Sequence, residues 1–114
     1  MNSLIIFLIA VAPILFQQTS VGTFADQTGV GNPLHAGRAT YDAANDEYTI
    51  EGAGANIWAN RDEFHFVWRQ LKGNFILTTN AAFAGKGVEP HRKIGWMVRS
   101  SLADDSPHAS AVVA

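Results

Sequence analysis

Apolar and polar residues alternate most strictly along "EFHFVWRQL" (63–71). Phe64, Phe66 and Trp68 fall on one side of an extended chain; Glu63, His65, Val67 and Arg69 fall on the other. The segment is predicted as a strand with an apolar inner face and a mixed, solvated outer face. "LKGN" then reads as a turn into "FILTTNAAFAG" (75–85), where Phe75, Leu77, Thr79, Ala81 and Phe83 share a face, so these two segments are predicted to pair antiparallel. "GRATYD" and "EYTIEG" flank "AANDE" as a hairpin, because Asn45 and Asp46 tolerate turn backbone angles and can bond the turn's own amides. Tyr41 and Tyr48 should then meet across the strands. "IGWMVRS" gives a further strand, and "SLADDSPHASAVVA" a turn around Asp104 to Pro107 entering a last one. Helical periodicity is nowhere sustained. Short β-branched and aromatic segments punctuated by Gly, Asn, Asp and Pro predict an all-β fold, an antiparallel β-sandwich of about six strands from Val21 onward.

The N-terminus breaks this pattern. "LIIFLIAVAPILF" (4–16) is thirteen residues without a charge, too short for a membrane span of ~20 residues and suited to a signal-peptide core. Ser20, Val21 and Gly22 supply small residues for cleavage. Residues 1–22 are therefore read as a signal peptide or N-terminal anchor, residues 23–114 as one domain, and the localisation as exported, periplasmic or extracellular.

Composition narrows the chemistry. The chain has 114 residues, 47% of them hydrophobic and 16% charged, which suits a single globular domain. Its net charge of −2, with eight scattered Lys and Arg, provides no basic face for nucleic acid. Zero cysteines exclude disulfides, thiolate catalysis and Cys-ligated metals.

No catalytic constellation emerges. Glycoside hydrolysis needs two carboxylates flanking one bond, whereas Asp62 and Glu63 are adjacent and point to opposite faces of a strand. Asp104 and Asp105 sit in a turn. No serine has a nucleophile-elbow context, and neither "GVGNP" nor "GAGAN" has the strand-to-helix setting of a phosphate loop. His35, His65, His91 and His108 lack the close spacing that places two imidazoles on one ion, so neither metal nor cofactor is expected. If the chain binds a ligand, the residues favoured are Trp58 as a stacking surface in its Gly- and Ala-rich loop, Asp62 and His65 as hydrogen-bonding partners near it, and Arg99 as an anion or hydroxyl contact.

The ordered pattern V-G-N-P … Y-x-x-x-x-x-x-Y-T-I-E-G-A-G … I-W … D-E-F-H-F-V-W … M-V-R-S-S-L … S-P-H-A, over about Val30 to Val113, resembles the N-terminal half of a concanavalin A-like domain family of unassigned function. Members of that family carry regulation-of-enolase names, or are joined to exported TolB-like propellers. The resemblance implies a jelly-roll-like sandwich of two antiparallel sheets that continues past the S-P-H-A strand. It lacks the Glu-x-Asp-x-x-Glu strand of the superfamily's glucanases. The expected function is a non-catalytic exported module binding carbohydrate or an envelope protein. Two alternatives stand beside it: a fragment of a polysaccharide-active hydrolase or lyase whose catalytic residues lie beyond residue 114, and a structural module packed on a TolB-like propeller. Self-association is expected if the sandwich is incomplete.

Overall fold

The computed structural model describes residues 20–58, 60–87 and 91–114, apart from the side chain of Trp58. The predicted signal segment thus lies almost wholly outside the described residues, as does the intended stacking surface of Trp58. Among the described residues there is no helix, and eight strands are formed: β1 (Asp26–Val30), β2 (Arg38–Asp42), β3 (Glu47–Glu51), β4 (Ile57–Trp58), β5 (Arg61–Asp62), β6 (Phe64–Trp68), β7 (Ile94–Arg99) and β8 (His108–Val113). They pair as four antiparallel ribbons, β1 with β6, β2 with β3, β4 with β5, and β7 with β8. The all-β, antiparallel class is therefore as the sequence predicts.

The β2–β3 hairpin forms where the turn chemistry places it. Tyr41 stands opposite Tyr48, with ring centroids 4.5 Å apart. Asp46 takes the left-handed backbone at φ 50° that Asp tolerates better than most residues. The Asp42 carboxylate accepts from the Ala44 amide at 3.0 Å and from the Asn45 side-chain amide at 2.8 Å. These bonds, Asn45's first, hold its carboxyl below the usual range. The Tyr41 hydroxyl donates to Asp46 at 2.9 Å, which raises the phenol's pKa.

The pairing of β6 departs from expectation. Its partner is β1, in the register Asp26↔Trp68 through Val30↔Phe64, and Phe75–Phe83 forms no strand. Alternation reports which face a residue occupies but not which distant segment supplies the neighbouring edge. β6 pairs with β1 alone, in a two-stranded ribbon, and the segment after the "LKGN" turn joins neither strand. Ile76 is accordingly 93% exposed and Phe75 43%.

Nor is the outer face of β6 solvated. All five of its residues are half-buried, because both faces of the β1–β6 ribbon carry neighbours. On the Phe64 side lie Val30, which is 1% exposed, the Phe66 ring at 5.5 Å from that of Phe64, and the guanidinium of Arg99 over the Phe64 ring. On the His65 side lies the β2–β3 hairpin. By alternation its inner face reads Gly37, Ala39, Tyr41 on one strand and Tyr48, Ile50, Gly52 on the other. The glycines are required there: a Cβ on Gly37 would stand 2.6 Å from His65 Cγ, and one on Gly52 would stand 3.1 Å from His65 Cβ. Phe24 links the hairpin to β7, its ring meeting Tyr48 edge-on at 5.2 Å and Trp96 at 6.4 Å.

Candidate functional site

Two of the four residues favoured by the sequence, Asp62 and Arg99, come together. Asp62 ends β5, and Arg99 ends β7 37 positions later. The Nη1 of Arg99 donates to Asp62 Oδ2 at 2.7 Å, with the two side chains 1% and 5% exposed. The remaining donors of Arg99 go to the turn that follows it: Nε to the Ser101 carbonyl at 3.2 Å, and Nη2 to the Ala103 carbonyl. His108 completes the cluster, its Nδ1 lying 3.5 Å from Asp62 Oδ2 and 3.4 Å from Arg99 Nη1.

The chain folds locally to make this possible. Ser106 is buried; its hydroxyl oxygen accepts from the Ser101 amide at 3.0 Å and its hydroxyl donates to the Pro107 carbonyl at 3.1 Å. These bonds close residues 100–107 into a compact turn between β7 and β8. The turn is fastened to β5 a second time, the Asp62 amide donating to the Asp104 carbonyl at 2.8 Å. An exposed Arg61–Asp104 ion pair at 3.4 Å adds little beside these bonds. Met97, whose Sδ accepts from Arg99 Nη1 at 3.3 Å, Ser101, Ser106 and His108 are the contributors that residue-by-residue reading missed. Their signal was the spacing of "MVRSSL" and "SPHA", which the sequence reading used only as a pattern.

The cluster leaves little for a ligand. A buried guanidinium needs acceptors for its donors, and every nitrogen of Arg99 has one within the chain: the Asp62 carboxylate, the Met97 sulfur and the Ser101 and Ala103 carbonyls. The anion that Arg99 meets in this structure is Asp62 of the same chain. Asp62 likewise serves as an internal acceptor and not as a ligand partner.

His65 lies on the opposite face of β6 from this cluster, so the fold does not bring it together with Asp62. Its Nε2 sits 2.8 Å from Gln27 Oε1. Gln27 also bridges to β2 through both polar atoms of one residue, its Oε1 accepting from the Ala39 amide at 2.7 Å and its Nε2 donating to the Ala39 carbonyl at 3.2 Å. Because Oε1 is an acceptor toward Ala39, the ring nitrogen facing it must be N–H, which fixes the tautomer. Nδ1 is then a buried acceptor without a donor. Burial lowers the pKa of His65 below its ordinary value of 6.5, since a charged ring is poorly solvated there.

Beside this network an open groove of about 570 Å³ runs between β1 and β2, with Asp26 and Gln27 on one wall, Ala39, Thr40 and Tyr41 on the other, and Ser20 at one end. Asp26 Oδ1 caps the Gln27 amide at 2.7 Å. The sequence reading passed over Asp26, Thr40 and Tyr41 because the groove joins strands whose adjacency only the fold creates. Among the described residues, no group of three or more His, Asp or Glu side chains is arranged to hold a metal ion. No protein-family profile matches the chain, and no curated protein or solved structure is significantly similar to it.

Proposed function

We propose that the chain is a non-catalytic, exported β-module that binds carbohydrate through the groove between β1 and β2. The observation carrying this reading is the contrast between its polar sites. The buried carboxylate of Asp62 is closed by Arg99 at 2.7 Å, whereas the open groove is lined by one aromatic residue, Tyr41, and by the polar residues Asp26, Gln27, Thr40 and Ser20. An apolar ring edge with a few convergent polar groups is the lining that sugars use, their C–H faces packing on the ring while hydroxyls bond the rim. The apolar run from Leu4 to Phe16 supports export, and the resemblance to concanavalin A-like domains supports a jelly-roll-like arrangement and a role in the envelope.

Titration of the full chain with soluble gluco-, xylo- and manno-hexasaccharides, followed by NMR, tests the reading. At least one should shift the Tyr41 ring and Thr40 amide signals, and Tyr41→Ala should abolish the shift. If none of the three perturbs the groove, the carbohydrate reading fails.

A second reading, a module packed against another envelope protein such as a TolB-like propeller, draws on a different observation. All six residues of β8 are exposed, and Val98, Val112 and Val113 on the β7–β8 ribbon are each 43–50% exposed. A covered ribbon of this kind would bury those valines in a partner.

A further inference from the structure

We infer that His65, Gln27 and Ala39 form a proton-sensitive clasp, and that protonating His65 releases the β2–β3 hairpin from the β1–β6 ribbon. The side-chain bridge from the paired strands β1 and β6 to the hairpin is narrow, while ahead of β1 the Tyr48 hydroxyl oxygen accepts from the Thr23 amide at 2.9 Å and lies 3.2 Å from the Thr23 hydroxyl. Gln27 holds both backbone polar groups of Ala39, and His65 Nε2–H holds Gln27 in place at 2.8 Å. In the neutral ring only one nitrogen carries a proton, and it is used. Nδ1 is buried without a partner, so a second proton would place an N–H where no acceptor waits, together with a charge under Gly37 and Gly52. Water can reach that N–H only if the hairpin lifts.

The surrounding charges do not compensate. On the hairpin, alternation turns Arg38, Asp42, Glu47 and Glu51 to the outer face, away from Ala39, and Arg38 and Glu51 pair with each other at 3.3 Å. On β1, Asp26 points to the Trp68 side of the ribbon. Glu63, between β5 and β6, and Arg69, just past β6, fall on the His65 side by alternation; Arg69 donates to the Thr23 carbonyl at 3.3 Å, and burial sets the direction in which His65 is shifted. The sign follows: a ring whose folded pKa lies below 6.5 binds fewer protons folded than unfolded as pH falls past that value. The clasp therefore contributes fully above about pH 6.5 and weakens as pH falls through the lowered folded value. Ala39, Thr40 and Tyr41 form one wall of the groove and Gln27 part of the other, so opening the clasp would widen that groove. This consequence rests on the binding reading; the clasp itself does not.

Amide hydrogen exchange of the full chain between about pH 7.5 and 5.5, corrected for intrinsic exchange, tests it. Protection at Ala39 and along β2 and β3 should fall by up to about tenfold per pH unit as pH drops from about 6.5 toward the lowered folded pKa, and level off below it, while β7 and β8 stay protected. His65→Gln, which keeps a donor for Gln27 but cannot titrate, should remove that dependence. Unchanged protection at Ala39, an equal loss in β7–β8, or the same pH dependence in His65→Gln would each overturn the proposal. Should His65→Gln fail to fold, NMR titration of the wild-type chain decides: the His65 ring and the Ala39 amide must share one midpoint, and separate midpoints refute the clasp. None of these readouts uses a sugar, so they stand or fall apart from the carbohydrate experiment.

Discussion

Strand β6 and its short extension β5 hold neighbours on two faces by different means. On the Phe64 face a buried full-charge pair, Asp62 with Arg99, fastens the turn between β7 and β8. On the His65 face an uncharged relay, His65 to Gln27 to Ala39, fastens the β2–β3 hairpin. The ionic lock joins groups that are strongly hydrated when apart, so breaking one partner leaves a charge stranded in the interior. The neutral relay strands only dipoles, but one of its members can be charged by a proton. The same ribbon thus carries one contact that is costly to break by mutation and another that acidity can open.

The largest effect should come from breaking the lock. Asp62→Ala leaves the guanidinium of Arg99 buried without its counter-charge and is expected to cost on the order of 3–5 kcal/mol, read as a lowered denaturant midpoint. A double replacement, Asp62→Leu with Arg99→Met, should cost less than the sum of the two single changes, because it removes both charges. Additive losses would show that the pair is not coupled.

Gln27→Ala comes next. It orphans both the amide and the carbonyl of Ala39, a buried residue, and should cost about 1–3 kcal/mol while leaving the exchange protection of β7 and β8 intact. Gly37→Ala probes the same interface by crowding. Its Cβ would meet His65 Cγ and the Glu51 carbonyl at 2.6 Å, and an overpacked contact of that kind costs about 1–3 kcal/mol. If it leaves stability unchanged, the hairpin does not sit on His65 as described.

The smallest effect belongs to Glu63→Gln. Glu63 makes no side-chain ion pair among the described residues, and the change should move stability by less than about 0.5 kcal/mol. A larger shift in thermal midpoint would mean that Glu63 contributes to the His65 face after all, and would sharpen the comparison by adding a charge to the clasp.

The sequence determined several features that depend on near neighbours. The β2–β3 hairpin was legible because its turn residues and its opposed tyrosines lie within one short stretch, and β6, β7 and β8 were legible because alternation and turn punctuation are local signals. Asp62 and Arg99 were singled out as candidate ligand contacts, and their contact with each other was not legible. What tertiary structure decided was pairing across distance. β1, and not Phe75–Phe83, paired with β6, which put Gln27 beside His65, and the packing of the turn after β7 on β5 put Arg99 against Asp62. The strand period of two fixes which face a side chain occupies but carries no information on which remote strand will lie against that face. That choice depends on the combined burial and hydrogen bonding of all the ribbons at once. It converted two residues that read as ligand contacts into an internal lock, and a histidine that read as surface into the centre of a clasp.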